Sequence, residues 1–132
     1  MTNYVLDTFA LFAYFQGEKS GVPVRQLLEN CPTTGDLISV SLISAGELYY
    51  ILKRKQGLIP AEQSWNDLHR LPVMLKLATE ARILAAARIK ADYALSYADA
   101  FCVALAQELA SQVVTGDPEF KTVESIVPVM WL

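Results

Sequence analysis

Two apolar patterns alternate along the chain. Short runs of branched and aromatic residues, typical of buried strands, are separated by longer stretches in which apolar residues recur every three or four positions, as on one face of a helix. The short runs predict strands at 4–6, 37–40, 73–75, 113–114 and 126–131. The longer stretches predict helices at 8–15, 22–29, 41–56, 60–70, 79–91 and 95–109. This alternation favours an α/β fold, a three-layer α/β/α sandwich around a mostly parallel sheet of about five strands.

Three local signals bear on where these elements end. The sequence Asn30-Cys31-Pro32 predicts the end of the second helix, and Gly57 is a suitable C-cap for the third. Pro128 falls inside the last predicted strand. Because proline cannot donate a hydrogen bond to a neighbouring strand, it predicts a position at a sheet edge or in a bulge.

Length and composition indicate a single domain over residues 1–132. Hydrophobic residues make up 53% of the chain and charged residues 19%, which argues against disorder and predicts that a partner or a second copy covers part of the surface. No apolar run approaches the ~18–20 residues of a membrane span, and the first residues lack the basic start of a signal peptide. Cys31 and Cys102 lie far apart with no CxxC motif, which favours buried thiols over a disulfide. A cytoplasmic protein is therefore expected.

Charge and histidine content narrow the chemistry. The formal net charge of −3 argues against broad electrostatic capture of nucleic acid, so such a partner needs a local basic patch or bound cations. His69 is the only histidine, which argues against a histidine-rich zinc site and a histidine-dependent catalytic triad.

Four acids occupy similar places in the predicted elements. Asp7 and Asp117 each follow a strand, whereas Glu47 and Asp99 lie near the starts of helices. In a parallel sheet, ligands gather beyond the carboxyl ends of the strands, so these side chains are predicted to share one cleft. Clustered carboxylates repel one another, and a hard cation such as Mg²⁺ or Mn²⁺ removes that repulsion. Such a site activates water for attack on a phosphodiester.

Helix capping is the competing interpretation of the same acids. Ser44-x-x-Glu47 and Ser96-x-x-Asp99 both match the capping-box pattern, and Asp117 before Pro118 is a good N-cap. Asp7 is similarly placed before the first helix. Hydroxyl residues stand beside three of the acids: Thr8, Ser96 and Thr115. From the residues alone, both interpretations stay open.

Four segments resemble a known family. The sequences VLDTFALFAYF (5–15), SAGELYYIL (44–52), LSYADAFCVALA (95–106) and VVTGDPEF (113–120) are similar to the four acidic motifs of PIN-domain ribonucleases. The resemblance is strongest to the small VapC-type toxins of toxin–antitoxin pairs. It implies a parallel sheet flanked by helices and an endoribonuclease that uses Mg²⁺ or Mn²⁺ and is inhibited by a cognate antitoxin. A homodimer is also implied.

The resemblance assigns roles to residues of this chain. It implies catalytic, metal-binding acids at Asp7, Glu47, Asp99 and Asp117, of which Asp7 and Asp99 are the expected direct ligands. It implies supporting roles for Thr8 and Thr115, and Ser96 is expected to support Asp99 as the hydroxyl residue near it. Phe9 departs from the family pattern, in which many members have a small polar residue at that position. This change leaves the carboxylates intact but alters how substrate or water sits.

The run Lys53-Arg54-Lys55 has two interpretations. Basic residues at a helix C-terminus complement the helix dipole, or they contact RNA phosphates or an acidic antitoxin segment. Glu108 and Glu119 are predicted to lie off the metal edge or at its margin.

Rival functions make different demands on the sequence. A receiver domain needs a second acid beside Asp7 and a lysine near the last strand, and a haloacid-dehalogenase-type phosphatase needs an acid where Phe9 stands. A binding module that keeps the fold but does little chemistry stays open from the sequence.

Overall fold

All five strands of the central sheet run parallel in the computed structural model, which describes residues 1–132. The strands are β1 (Asn3–Leu6), β2 (Leu37–Ser41), β3 (Met74–Lys76), β4 (Gln112–Thr115) and β5 (Val129–Trp131). Their order across the sheet is β3–β2–β1–β4–β5, so the first strand of the chain is central. The helices are α1 (Thr8–Phe15), α2 (Val22–Thr34), α3 (Leu42–Gln56), α4 (Leu58–Leu68), α5 (Glu80–Asp92) and α6 (Tyr97–Glu108). Two short 3₁₀ segments cover Lys19–Gly21 and Pro118–Val123.

Helices cover both faces of the sheet. Because neighbouring residues of a strand point to opposite faces, each strand contributes side chains to both helical layers. Leu6 packs with Val114 into a core shared with α1, α2, α3 and α4. Val5 and Val113 point to the other face, where they pack with α6 and the Pro118–Val123 segment. Strands buried on both faces are typical of parallel sheets. The predicted α/β/α sandwich is confirmed.

The position of β1 directs the first acid to the middle of the sheet edge. Leu6 is aligned with Val114 of β4, and the Asp7 N–H donates to the Val114 carbonyl at 3.3 Å. Because all the strands are parallel, their carboxyl ends lie at one edge, where the chain enters α1, α3 and the Pro118–Val123 segment. Side chains that immediately follow different strands are therefore brought together.

The second helix is longer than the sequence predicted. It continues through Pro32 and ends at Thr34, where Gly35 adopts the left-handed conformation with φ of 78°. Proline has no N–H for the carbonyl four residues earlier, which is that of Leu28. The thiol of Cys31 donates to that carbonyl at 3.5 Å. The prediction that the helix stops at Asn30-Cys31-Pro32 was wrong because a local side chain compensates for the missing donor.

The other predicted ends of strands and helices agree more closely with the structure. The last strand is confined to Val129–Trp131 and lies at the sheet edge, as Pro128 predicted; the Pro128 carbonyl still accepts from the Val113 N–H at 2.9 Å. Helix α4 begins at Leu58 rather than at Pro60. Both cysteines are buried free thiols. No helix is both long and apolar enough to span a membrane.

Candidate metal centre at the carboxyl edge of the sheet

Asp7 lies buried between β1 and α1 with both carboxylate oxygens bonded. Oδ1 accepts from the Ala10 N–H at 2.8 Å, as expected of an N-cap, and Oδ2 accepts from the Thr115 hydroxyl. Only 1% of Asp7 is exposed. Burial raises the pKa of Asp7 to about 7, the charges of Asp99 and Asp117 add to the increase, and the two hydrogen bonds oppose it.

Thr115 joins the first acid to the last. Its hydroxyl oxygen accepts from the Asp117 N–H at 3.0 Å while the hydroxyl donates to Asp7. Asp117 in turn caps the 3₁₀ segment by accepting from the Glu119 N–H at 2.9 Å. Asp7 and Asp117 are therefore both helix caps and members of the acidic cluster. The two interpretations of the sequence are not exclusive at these positions.

Asp99 lies in the first turn of α6, where Ser96 is the N-cap and accepts from the Asp99 N–H at 3.2 Å. Asp99 is 6% exposed. Burial raises the pKa of Asp99 to about 7, the Ser96 hydroxyl opposes this, and the charges of Asp117, Glu47 and Glu119 favour it. Cations near such carboxylates stabilise the charged form.

Glu47 does not take part in a capping box. Helix α3 starts at Leu42 with Ser41 as its N-cap, one turn before the predicted pair. Ser44 is buried within the helix, with its hydroxyl 3.1 Å from the Cys102 thiol. The Ser44-x-x-Glu47 capping prediction was therefore wrong. The Glu47 side chain is half-buried, and its Oε2 accepts from the Tyr50 hydroxyl at 3.3 Å.

These acids surround one open cleft of about 330 Å³. All four predicted acids line it, together with Thr8 and Ser96, while Thr115 lies beneath Asp7 and outside the lining. The complete lining is Asp7, Thr8, Phe9, Phe12, Glu47, Ile51, Lys55, Ser96, Asp99, Asp117 and Glu119.

Glu119, which was predicted to lie off the metal edge or at its margin, lines the cleft. Carboxylate oxygens of Asp99, Asp117 and Glu119 lie within 4.8 Å of one another, which makes these three the tightest acidic group in the cleft. The 3₁₀ segment that starts at Pro118 turns the chain sharply, so that Glu119 remains beside Asp117. Its place inside the VVTGDPEF segment was the available signal.

Thr8 provides a polar group without a partner. It is 7% exposed, it lines the cleft, and its Oγ1 is buried with no hydrogen bond. Buried polar atoms in proteins are nearly always bonded, so this oxygen is available to a ligand or to water. Five carboxylates and a hydroxyl form an all-oxygen donor set, which suits Mg²⁺, Mn²⁺ or Ca²⁺ better than metals that prefer nitrogen or sulfur. The residues present fit a hard divalent cation.

The basic run divides into three environments. Lys55 lines the cleft, with its Nζ 5.1 Å from the centroid of the Phe12 ring. Arg54 lies over the Tyr50 ring at 5.0 Å, and Lys53 is exposed and away from the cleft. Only Lys55 is therefore placed to contact a ligand bound beside the acids.

A slightly larger cavity, of about 360 Å³, lies between β3, α5 and α6. Two of its three charged members, Arg82 and Glu108, pair with each other through two N–O distances of 3.0 Å. Glu108 is therefore occupied away from the acidic cleft, as predicted.

The chain belongs to the PIN-domain family, whose family profile matches residues 4–126. This confirms the resemblance to PIN-domain proteins. Comparison with curated protein sequences gives no match.

Solved VapC toxins share the fold. The chain superimposes on VapBC2 from Rickettsia felis with a TM-score of 0.75 and 14% identity, covering 99% of this chain and 100% of that one. It matches VapC20 of Mycobacterium tuberculosis, a toxin that cleaves the sarcin–ricin loop, with a TM-score of 0.74 and 17% identity over 89% and 92% of the two chains. The match to VapBC from Salmonella typhimurium has a TM-score of 0.75 and 14% identity, and it covers 98% of each chain.

Proposed function

We propose that this chain is a divalent-metal-dependent endoribonuclease and the toxin of a toxin–antitoxin pair, with residues 1–132 acting as one PIN-like nuclease domain. The observation that carries the proposal is the convergence of five carboxylates and an unpartnered buried hydroxyl on one cleft. Membership of the PIN family and the shared fold of an RNA-cleaving VapC toxin support it.

The acidic group of Asp99, Asp117 and Glu119 would hold Mg²⁺ or Mn²⁺, with Asp7 and Glu47 completing the donor set. When bound, the ion supplies an activated water and neutralises charge on the phosphodiester undergoing hydrolysis. The preference for Mg²⁺ or Mn²⁺ follows from the all-oxygen donor set.

The chain's own residues prepare the cleft for hydrolysis. Thr115 fixes the orientation of Asp7, and Ser96 fixes the start of the helix that carries Asp99. Glu47 faces the cleft with only Oε2 hydrogen-bonded, so Oε1 is available to accept the proton of an attacking water.

Lys55 supplies the positive charge that a phosphate needs at an otherwise acidic site. It is the only basic residue in the lining, which contains five acids. We infer that it contacts a backbone phosphate of RNA beside the scissile bond. In the complex with a cognate antitoxin, the same ammonium is accessible to an acidic side chain of the inhibitor.

A cognate antitoxin that occludes the cleft and a homodimer in the cytoplasm complete the proposal. Large apolar side chains remain exposed at Leu77, Ile83 and Leu84, and at Leu58 and Ile59. Exposed apolar surface of this kind is typical of protein–protein contacts. Co-purification with the product of the adjacent gene, followed by light scattering of the separated toxin, tests both associations.

The decisive experiment compares RNA cleavage by the purified chain with cleavage by Asp7→Asn and Asp99→Asn, using a mixed RNA pool with and without Mg²⁺ or Mn²⁺. Asp92→Asn is the matched control, because Asp92 is exposed at the end of α5 and outside the cleft. We expect metal-dependent cutting by the wild type and the control, and loss of cutting in both cleft variants. Cutting that persists in Asp7→Asn and Asp99→Asn would show that these acids take no part in RNA hydrolysis.

A further inference from the structure

One wall of the acidic cleft is aromatic. Phe9 and Phe12 lie one turn apart on the first helix, and both line the cleft that holds the acids. Phe9 is 39% exposed, so part of its ring is accessible at the cleft. The ring therefore covers the mouth of the cleft rather than the core.

The Phe9 ring is seated on the loop that carries the last acid. Gly116, between Thr115 and Asp117, lies so close that a Cβ at that position would overlap the ring carbons of Phe9. The absence of a side chain at Gly116 thus lets the ring press against the backbone beside Asp117. One part of the ring is fixed by this contact, and the remainder is open to the cleft.

A positive charge, the Lys55 ammonium, also lies in the cleft. The Lys55 ammonium lies 5.1 Å from the centroid of Phe12, which places the positive charge on the same wall as the Phe9 ring. The same cleft is lined by the five acids that are proposed to hold the cation. It thus brings together a proposed metal site, an exposed aromatic ring and an ammonium.

We propose that the Phe9 ring is the stacking platform for a nucleobase adjacent to the scissile phosphate. Unstacked bases of single-stranded RNA pack on aromatic side chains, and their phosphates remain free for cations. A base paired within a duplex cannot reach the ring, because its faces are already stacked. This inference rests on the proposed nuclease function and adds a positioning residue that contributes no chemistry of its own.

Binding of fluorescein-labelled oligonucleotides tests the platform without cleavage. The probes are a uridine decamer and a decamer of abasic ribose phosphates with the same length and charge, titrated by anisotropy with Mg²⁺ into Asp99→Asn, which keeps the RNA intact. We expect tighter binding of the uridine decamer by a factor of about 5 to 150, the range of one base–aromatic stack. Adding Phe9→Leu should abolish this preference and leave binding of the abasic decamer unchanged.

Two further variants separate stacking from structure. Phe9→Tyr keeps an aromatic face and should restore the preference, whereas Tyr14→Leu, on the same helix but outside the cleft, should retain it. A preference that survives in Phe9→Leu would overturn the platform while leaving the nuclease proposal intact. If neither decamer binds and wild-type protein does not cut RNA, the proposed function and the platform fall together.

Discussion

Thr115 and Asp7 are 108 positions apart in the chain, yet the Thr115 hydroxyl donates to the Asp7 carboxylate inside the protein. The same oxygen accepts from the Asp117 N–H, so a single hydroxyl sets both the first and the last acid of the cleft. This arrangement depends on β1 and β4 being neighbours in the sheet, with Leu6 aligned to Val114. Topology, rather than proximity in sequence, builds the site.

Removing the Thr115 hydroxyl should weaken both stability and metal binding. Thr115→Val keeps the shape but leaves a buried carboxylate oxygen without its donor, which costs about 1–3 kcal/mol. Because that hydrogen bond lowers the pKa of Asp7, its loss raises the pKa further and makes the charged form harder to populate. Urea unfolding at pH 7.5 and Mn²⁺ titration measure the two effects. Thr115→Ser retains the donor and should behave like the wild type; equal losses in both variants would contradict this role.

The metal-free protein should lose stability as pH rises from about 4 to above 7. Asp7 and Asp99 have pKa values of about 7 in the folded chain and near 3.8 in the unfolded chain, so the folded state binds more protons in this interval. Their favourable contribution is complete below the unfolded pKa and disappears as pH passes the folded pKa. Unfolding by urea in EDTA across this range gives the slope.

Saturating Mn²⁺ should reverse that slope, because the ion binds the deprotonated acids of the folded state only. Asp7→Asn without metal should show a flatter dependence than the wild type, and Asp92→Asn should not. A metal-free wild type whose stability rises steadily between pH 5 and 7.5 would show that these carboxyls are not protonated in the folded chain.

Glu119→Gln should lower Mn²⁺ affinity by at least about 10-fold, the smaller effect seen when a group supporting a metal site is removed. The reason is the tight grouping of its carboxylate with those of Asp99 and Asp117. Glu80→Gln is a suitable control, since Glu80 is exposed in the first turn of α5 and outside the cleft. Isothermal titration gives both affinities, and equal values would remove Glu119 from the donor set.

Phe120 couples the core to the acidic loop. It is fully buried against the α6 face of the sheet and immediately follows Glu119. Phe120→Ala should cost about 3–5 kcal/mol of the free energy of unfolding and also weaken Mn²⁺ binding, because the cavity loosens the 3₁₀ segment. Phe120→Leu should lose much less of either. Destabilisation with unchanged metal affinity would mean that the segment is held independently of this side chain.

The three basic residues at the end of α3 should contribute unequally to RNA binding. Lys55→Gln should reduce the slope of log Kd against log salt concentration by about 0.7, the value for one phosphate contact on a single strand. Lys53→Gln should leave the slope unchanged, since Lys53 is outside the cleft. Anisotropy titrations at several salt concentrations compare the two variants, and identical slopes would place Lys55 away from the RNA.

Much of this architecture was predictable because its elements carry strong local signals. The alternation of apolar runs with helical spacing determines the three layers, and the positions of Asp7 and Asp117 after strands place them at one edge. The end of the second helix was predicted wrongly because it depends on a side-chain hydrogen bond. The Leu28 carbonyl lacks an N–H donor because of Pro32, and the Cys31 thiol donates to it instead. The helix therefore continues beyond the residues that predicted its end.

Competing capping signals explain the remaining errors near the cleft. The sequence predicted a capping box at Ser44 and Glu47, whereas Ser41 at the end of β2 caps α3. Burial of Ser44 against Cys102 arises from packing between α3 and α6, which no local pattern encodes. Glu119 was left out of the predicted site because its nearness to Asp99 is a tertiary property.

The central position of β1 in the sheet has a consequence for folding during synthesis. During synthesis the first acid emerges at residue 7, but its hydrogen-bond donor arrives only with β4, and the acids at 117 and 119 follow later. An incomplete nascent chain therefore cannot assemble the cleft, however well its first half folds. Under the proposed function, a nascent chain gains nuclease activity only after residues 117 and 119 have been synthesised.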